Sequence, residues 1–219
     1  MFNKIKKSVI ILKKQNIQII LGGVKIKSKI EYYIDEFIEA EIKVKYFYRG
    51  DNSERFVLGE VIGPNPLICF GVNPSTAKVV NKQLEIDCTI KNIKKVVIKK
   101  YDGWIMLNLY PQVTPEPDEL HKNKDFDNCL HKKNINIIKK LLKNYPNADI
   151  LACWGNLINK RDYLKKVCLK EVFEIAENRN WLCIENLTEK GNPKHPLSPY
   201  TDLNKELEKF DINKYVKNI

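Results

Sequence analysis

Past the first sixty residues, short and almost wholly apolar runs alternate with stretches whose apolar positions recur every three or four residues. LICFGV (67–72), WIMLNL (104–109), ILACWG (150–155) and WLCIEN (181–186) carry almost no polar face. Runs of that length without alternation suit strands covered on both sides. Between them lie helical patterns: Ile86, Ile90, Ile93 and Val97, then Leu130, Ile137, Ile138, Leu141 and Leu142, then Leu164, Val167, Cys168 and Phe173. Strand, helix, strand three times over predicts a parallel sheet with crossover helices. Thr201 and Asp202 are capping candidates for a terminal helix through Leu203, Leu207 and Phe210. The first sixty residues read differently. VIILKK and IQIILGGVKIK are β-like, and EAEIKVKYFYRG and ERFVLGEVI flank Gly50-Asp51-Asn52-Ser53 as an antiparallel hairpin. The expected architecture is α/β: a three-layer α/β/α unit over 63–219 with a central four-stranded parallel sheet, and an N-terminal β-rich extension over 1–62 packed on it.

In an open parallel sheet, ligands bind beyond the carboxyl ends of the strands. The residues that follow the four runs are therefore the candidates: Gly71 to Ala77 (GVNPSTA), Leu107 to Pro111 (LNLYP), Trp154 to Asn159 (WGNLIN) and Asn186 to Tyr200. Gly71 permits close backbone approach, Pro74 stiffens the exit, and Ser75 or Thr76 could cap a following helix whose free N–H groups attract an anion. His195 sits in Lys194-His195-Pro196-Leu197-Ser198-Pro199, with Pro193 just before it. A histidine on so stiff a loop suits hydrogen-bond donation to developing negative charge. Asp87 and Thr89 precede an apolar helical stripe and read first as helix caps, as does Asp118 before Glu119-Leu120-His121. His121 and His131 read as solvent-facing, without a role.

Composition narrows the classes. Of 219 residues, 38 are basic and 27 acidic, a formal net charge of +11, which invites a polyanionic partner. Only Arg49, Arg55, Arg161 and Arg179 are arginine, so the lysines fit a solvated surface equally well. No apolar run reaches the roughly 18 residues that span a bilayer, and Lys13 and Lys14 cut the N-terminal stretch too short for a signal peptide. A cytoplasmic protein with no membrane partner is expected. The six cysteines, Cys69, Cys88, Cys129, Cys153, Cys168 and Cys183, form no CxxC pair and no Cys–His spacing of a metal site, so neither metal nor cofactor is expected. There is also no GxGxxG and no GxxxxGK[ST].

From about Arg55 to Tyr200 the chain resembles the DUF1643 family of unknown function. The motifs are Asn73 to Ala77 (NPSTA), Asp87 and Thr89 (DxT), Gly103-Trp104 with Asn108 to Pro111 (NLYP), Trp154-Gly155 with Arg161, and Gly191 to Leu197 (GNPKHPL). More distantly, the strand-end order resembles the uracil-DNA glycosylase superfamily. That resemblance implies that Asn73 positions the attacking water, Asn108 binds a base edge, and His195 stabilises the leaving base. Gly71, Pro74, Ser75, Thr76, Tyr110, Trp154, Asn156, Arg161 and Ser198 would then surround the substrate, with Asp87 and Thr89 nearby. Two departures stand out: Asn73 is not a carboxylate base, and the late loop reads HPLSP instead of HPSPL, leaving Leu197 or Tyr200 as wedges. The implied function is binding of a nucleobase, in DNA or a nucleotide, with possible hydrolysis of its N-glycosidic bond. A non-catalytic nucleic-acid or nucleotide binding module is the alternative. A Ser75–His195 hydrolase is weaker, since there is no GxSxG elbow.

Overall fold

Runs with no polar face need cover on both sides, and the four apolar runs receive it in the computed structural model, which describes residues 37–39, 42–80, 83–97 and 100–219. They form β4 (Leu67–Gly71), β7 (Gly103–Asn108), β8 (Ile150–Ala152) and β9 (Trp181–Cys183). Every residue of β4, β8 and β9 is buried. β4 pairs in parallel with β7 and with β8, and β8 pairs in parallel with β9. Side chains alternate between two clusters. Ile68, Phe70, Ile105, Leu107, Ile150 and Ala152 join one, whereas Leu67, Cys69, Trp104, Met106, Leu151 and Cys153 join the other.

The helices follow that division. α1 (Cys88–Val97) packs Ile90, Ile93, Val96 and Val97 into the second cluster. α2 (Asn128–Asn144) contributes Ile135, Ile138, Leu141 and Leu142 to the first. So does a π-helical stretch, Leu164–Leu169, leading into α3 (Lys170–Ala176), through Leu164, Cys168 and Val172. Each fully buried aliphatic side chain of this kind contributes about 1.5–3 kcal/mol. Aspartates fix the starts: Asp87 accepts from Ile90 N–H and Asp127 from Leu130 N–H, both at 2.9 Å. Such caps contribute about 1 kcal/mol each.

The hairpin around residues 50–53 is part of the same sheet. β2 (Ile42–Gly50) and β3 (Arg55–Val61) pair antiparallel, and β3 continues antiparallel onto β7. With β1 (Phe37–Glu39) and β10 (Glu208–Lys209) the order is β1-β2-β3-β7-β4-β8-β9-β10, a mixed sheet in an α/β fold. The β-like runs expected before residue 37 lie outside the described residues.

Three expectations are corrected. No helix follows Ser75 and Thr76: Lys78–Val80 and Gln83–Glu85 form a small hairpin, β5–β6, consistent with the strand preference of paired valines. The terminal helix is not at Thr201–Phe210. There Asp202 accepts from Asn204 N–H in a local turn, Glu208–Lys209 joins the sheet as β10 antiparallel to β9, and Phe210 is buried against Trp154. The helix, α4 (Ile212–Lys217), starts one step later under an Asp211 cap. Asp118 lies within a 3-10 turn, Pro117–Glu119, and makes no side-chain cap.

Candidate functional site

At the carboxyl ends of the parallel strands, Gly71 and Asn108 face each other in register. A methyl group on Gly71 would lie 2.6 Å from Met106 Cε and 3.1 Å from Asn108 Oδ1, so the Met106 side chain would have to move aside and Asn108 to give slightly. The Asn108 side chain is 1% exposed, and neither Oδ1 nor Nδ2 has a partner among the described residues. Its main-chain carbonyl is satisfied by Asn134 Nδ2 at 2.8 Å. An unpaired buried polar group costs about 1–3 kcal/mol. A donor and an acceptor side by side at a strand end thus need a partner that the described residues do not supply.

His195 approaches from the loop after β9. Gly155 carries φ +59, and a methyl there would come within 3.0 Å of His195 Cβ, so the turn after β8 packs directly beneath the imidazole loop. Gly155 N–H also donates to Pro193 C=O at 3.0 Å, and Asn92 of α1 donates to Pro196 C=O at 2.9 Å. Ser198 hydroxyl accepts from His195 N–H at 3.0 Å, bracing the loop from within. The ring is oriented too: Leu197 N–H donates to His195 Nδ1 at 3.2 Å. In the neutral ring Nε2 then carries the proton and is a donor. Burial pushes the His195 pKa down, and Asp87 partly opposes it, so the ring is held neutral at physiological pH.

The same Asp87 acts on a residue that the sequence reading did not single out. Arg55, at the start of β3, is 3% exposed; Nη1 donates to Ala77 C=O, and Nε has no partner among the described residues. Burial pulls its pKa to about 10, with Asp87 and then Tyr48 opposing. The signal available in sequence was an arginine inside an apolar strand of a lysine-rich chain.

Most of the other candidates bond to or pack within the frame. Asn73 Nδ2 donates to the carbonyls of Thr114 (2.9 Å), Pro74 (3.0 Å) and Gln112 (3.4 Å), tying the turn after β4 to the loop after β7. These bonds use Nδ2 alone, and Oδ1, the atom able to accept from a water, takes part in none of them. Pro74 C=O accepts from Thr114 N–H at 3.0 Å, while Ser75 is half-buried and Thr76 exposed in the same connection. Thr89 lies half-buried in the first turn of α1. Tyr110 is fully buried, its hydroxyl bonded to His121 Nδ1 at 2.7 Å, with a pKa raised by burial to about 12. Trp154 packs against Trp181, Phe210 and Tyr215 in the core. Asn156 is exposed; its Oδ1 accepts from Thr188 hydroxyl at 2.8 Å and Asn192 Nδ2 at 2.9 Å. Arg161 clamps a loop, donating to the carbonyls of Leu120, His121 and Asp118. His131 is not solvent-facing: it is fully buried on α2, with Nε2 3.4 Å from Glu171 Oε2, and burial lowers its pKa.

Lysines 139, 143, 166 and 170 line a groove of about 810 Å³ between α2 and α3. α2 ends there before β8, and Arg179 of the same groove precedes β9, so it lies toward the amino ends of the strands. All six cysteines are free, and no cluster of three or more metal-ligating side chains occurs among the described residues. No helix among them is long and apolar enough to cross a membrane. A family model described as a protein of unknown function (DUF1643) matches residues 55–197. No curated protein and no solved structure matches the chain, so the glycosylase resemblance gains no support from either comparison.

Proposed function

The chain belongs to the DUF1643 family of proteins of unknown function, and we propose that it binds a nucleobase, free or within a nucleotide, at the carboxyl ends of β4 and β7. The observation that carries this reading is Asn108, whose buried and unpartnered amide offers one donor and one acceptor side by side. A nucleobase edge presents the complementary pair. His195 supplies a second, oriented donor from its Nε2, and Gly71 keeps the approach clear. We favour binding over a water-activating enzyme of the glycosylase type, because Asn73 carries an amide and not a carboxylate base.

Hydrolysis of the N-glycosidic bond is the second reading, favoured by one feature. A neutral imidazole donor in a desolvated site is what stabilises negative charge on a departing base. The fold we associate with both readings is the three-layer, glycosylase-like arrangement over 63–219, with the β-rich segment before residue 63 as its extension. DNA is a partner only in the second reading.

Isothermal titration with free bases and nucleosides tests the binding reading. Saturable binding that is lost in Asn108→Leu supports it; no binding of any base or nucleoside removes it. Base release from nucleosides and from uracil- or hypoxanthine-containing oligonucleotides tests hydrolysis. Activity there should fall about 10²–10³-fold in His195→Ala.

A further inference from the structure

Arg55 is a buried charge with no carboxylate at contact distance among the described residues. The β3–β7 register that sets Leu58 opposite Met106 has shifted by the start of β3, where Glu54 bridges Gln112, so Arg55 stands three residues beyond Asn108 along the outgoing chain. Its backbone N–H reaches Pro111 C=O at 2.8 Å, just past the end of β7. Its Nη1 is taken by Ala77 C=O, in the connection that starts at Gly71. Asp87, the cap of α1, influences it only through space and spends Oδ1 on Ile90 N–H. With Nη1 occupied, the edge left is Nε with Nη2, the fork that takes two oxygens of one group at once. A desolvated guanidinium is costly until an opposite charge completes it. A neutral base edge would not do so.

We propose that the Nε–Nη2 edge of Arg55 holds the phosphate of a nucleotide whose base lies against Asn108. This rests on the base-binding reading above and narrows its ligand from nucleobases at large to a phosphorylated nucleoside. The depth of Arg55 selects a terminal phosphate of a small ligand over the phosphodiester backbone of a strand, which runs along a surface.

The test compares four probes on the wild-type chain by isothermal titration: a nucleoside, its 5′-monophosphate, orthophosphate, and a short oligonucleotide of the same base. The expected result is at least tenfold tighter binding of the monophosphate than of the nucleoside, with orthophosphate competing against the monophosphate alone. In Arg55→Met that ratio should collapse to near one, and in Arg55→Lys it should fall part way, since a point charge replaces a fork. Equal affinity for nucleoside and monophosphate in the wild type overturns the proposal while leaving the base-binding reading intact. So does a ratio that survives Arg55→Met, or an equal loss of nucleoside and monophosphate binding in that variant, which would place Arg55 on the base. A preference for the oligonucleotide overturns the small ligand. If Arg55→Met fails to fold, the wild-type ratio and the orthophosphate competition still decide. Orthophosphate binding without any nucleoside binding would instead remove the base-binding reading.

Discussion

Replacing Asn108 by leucine should make the protein more stable and less able to bind. Leucine is close in shape, carries no polar atom, and removes two unpartnered buried groups at once. Each such group costs about 1–3 kcal/mol. Leucine is somewhat bulkier, and Asn108 Oδ1 already stands 3.1 Å from the space above Gly71, so part of the gain is lost to crowding. A net gain near the low end, about 2 kcal/mol, corresponds to a rise in melting temperature of about 4–8 °C for a chain of this size. Base binding should weaken at the same time by about tenfold or more, the worth of two modest hydrogen bonds. Calorimetric melting and titration on the same preparation read both effects. A melting temperature that falls, together with unchanged affinity, refutes the argument, because it would make Asn108 a structural residue with satisfied bonds.

Gly155→Ala should cost about 1–2 kcal/mol from its left-handed backbone alone, read as a lower urea midpoint, and should also displace His195 and weaken base binding. Arg161→Ala should cost about 2–3 kcal/mol and speed amide exchange across residues 117–121, because three loop carbonyls lose a charged donor. Acidification should destabilise the chain. His131 and His195 both have folded pKa values below the ordinary histidine value, so the unfolded chain takes up protons first. Their contribution is complete above about pH 6.5 and falls below it by up to about 1.4 kcal/mol per pH unit per histidine. Urea titrations at falling pH measure the slope, and His131→Leu should remove one histidine's share.

The strands were legible because runs such as Leu67–Gly71 have no polar face, and a segment that must be covered on both sides leaves few alternatives. Helix positions followed from apolar spacing that survives the lysine-rich background, as in Ile90, Ile93 and Val97. The misreadings have a common cause, which is that local signals were outweighed by pairing elsewhere. Thr201 and Asp202 look like a cap, yet the chain beyond them gains more by placing Glu208–Lys209 beside β9 and burying Phe210. Ser75 and Thr76 look like another, but the helix waits for Asp87. At the site, His195 and Asn108 stood out from their positions after strands. Asn73, Asn156 and Arg161 stood out for the same reason, and their bonds tie loops together, a part that depends on which groups each side chain meets. Arg55 lacked any motif of its own, since its meaning comes from burial.

The two residues of β10 guard the open side of the sheet. Without them, Trp181–Cys183 would present a bare row of backbone donors and acceptors flanked by buried apolar side chains, the kind of border along which chains add to one another. β10 closes that border with exposed Glu208 and Lys209, and Phe210 N–H fastens it to Trp181 C=O at 2.8 Å. The guard lies beyond residues 55–197, the part matched by the family model. A chain cut back to that matched part would keep the strand ends and their polar groups, but it would lose β2 as well as β10, carry two self-adhesive edges and accumulate as oligomers.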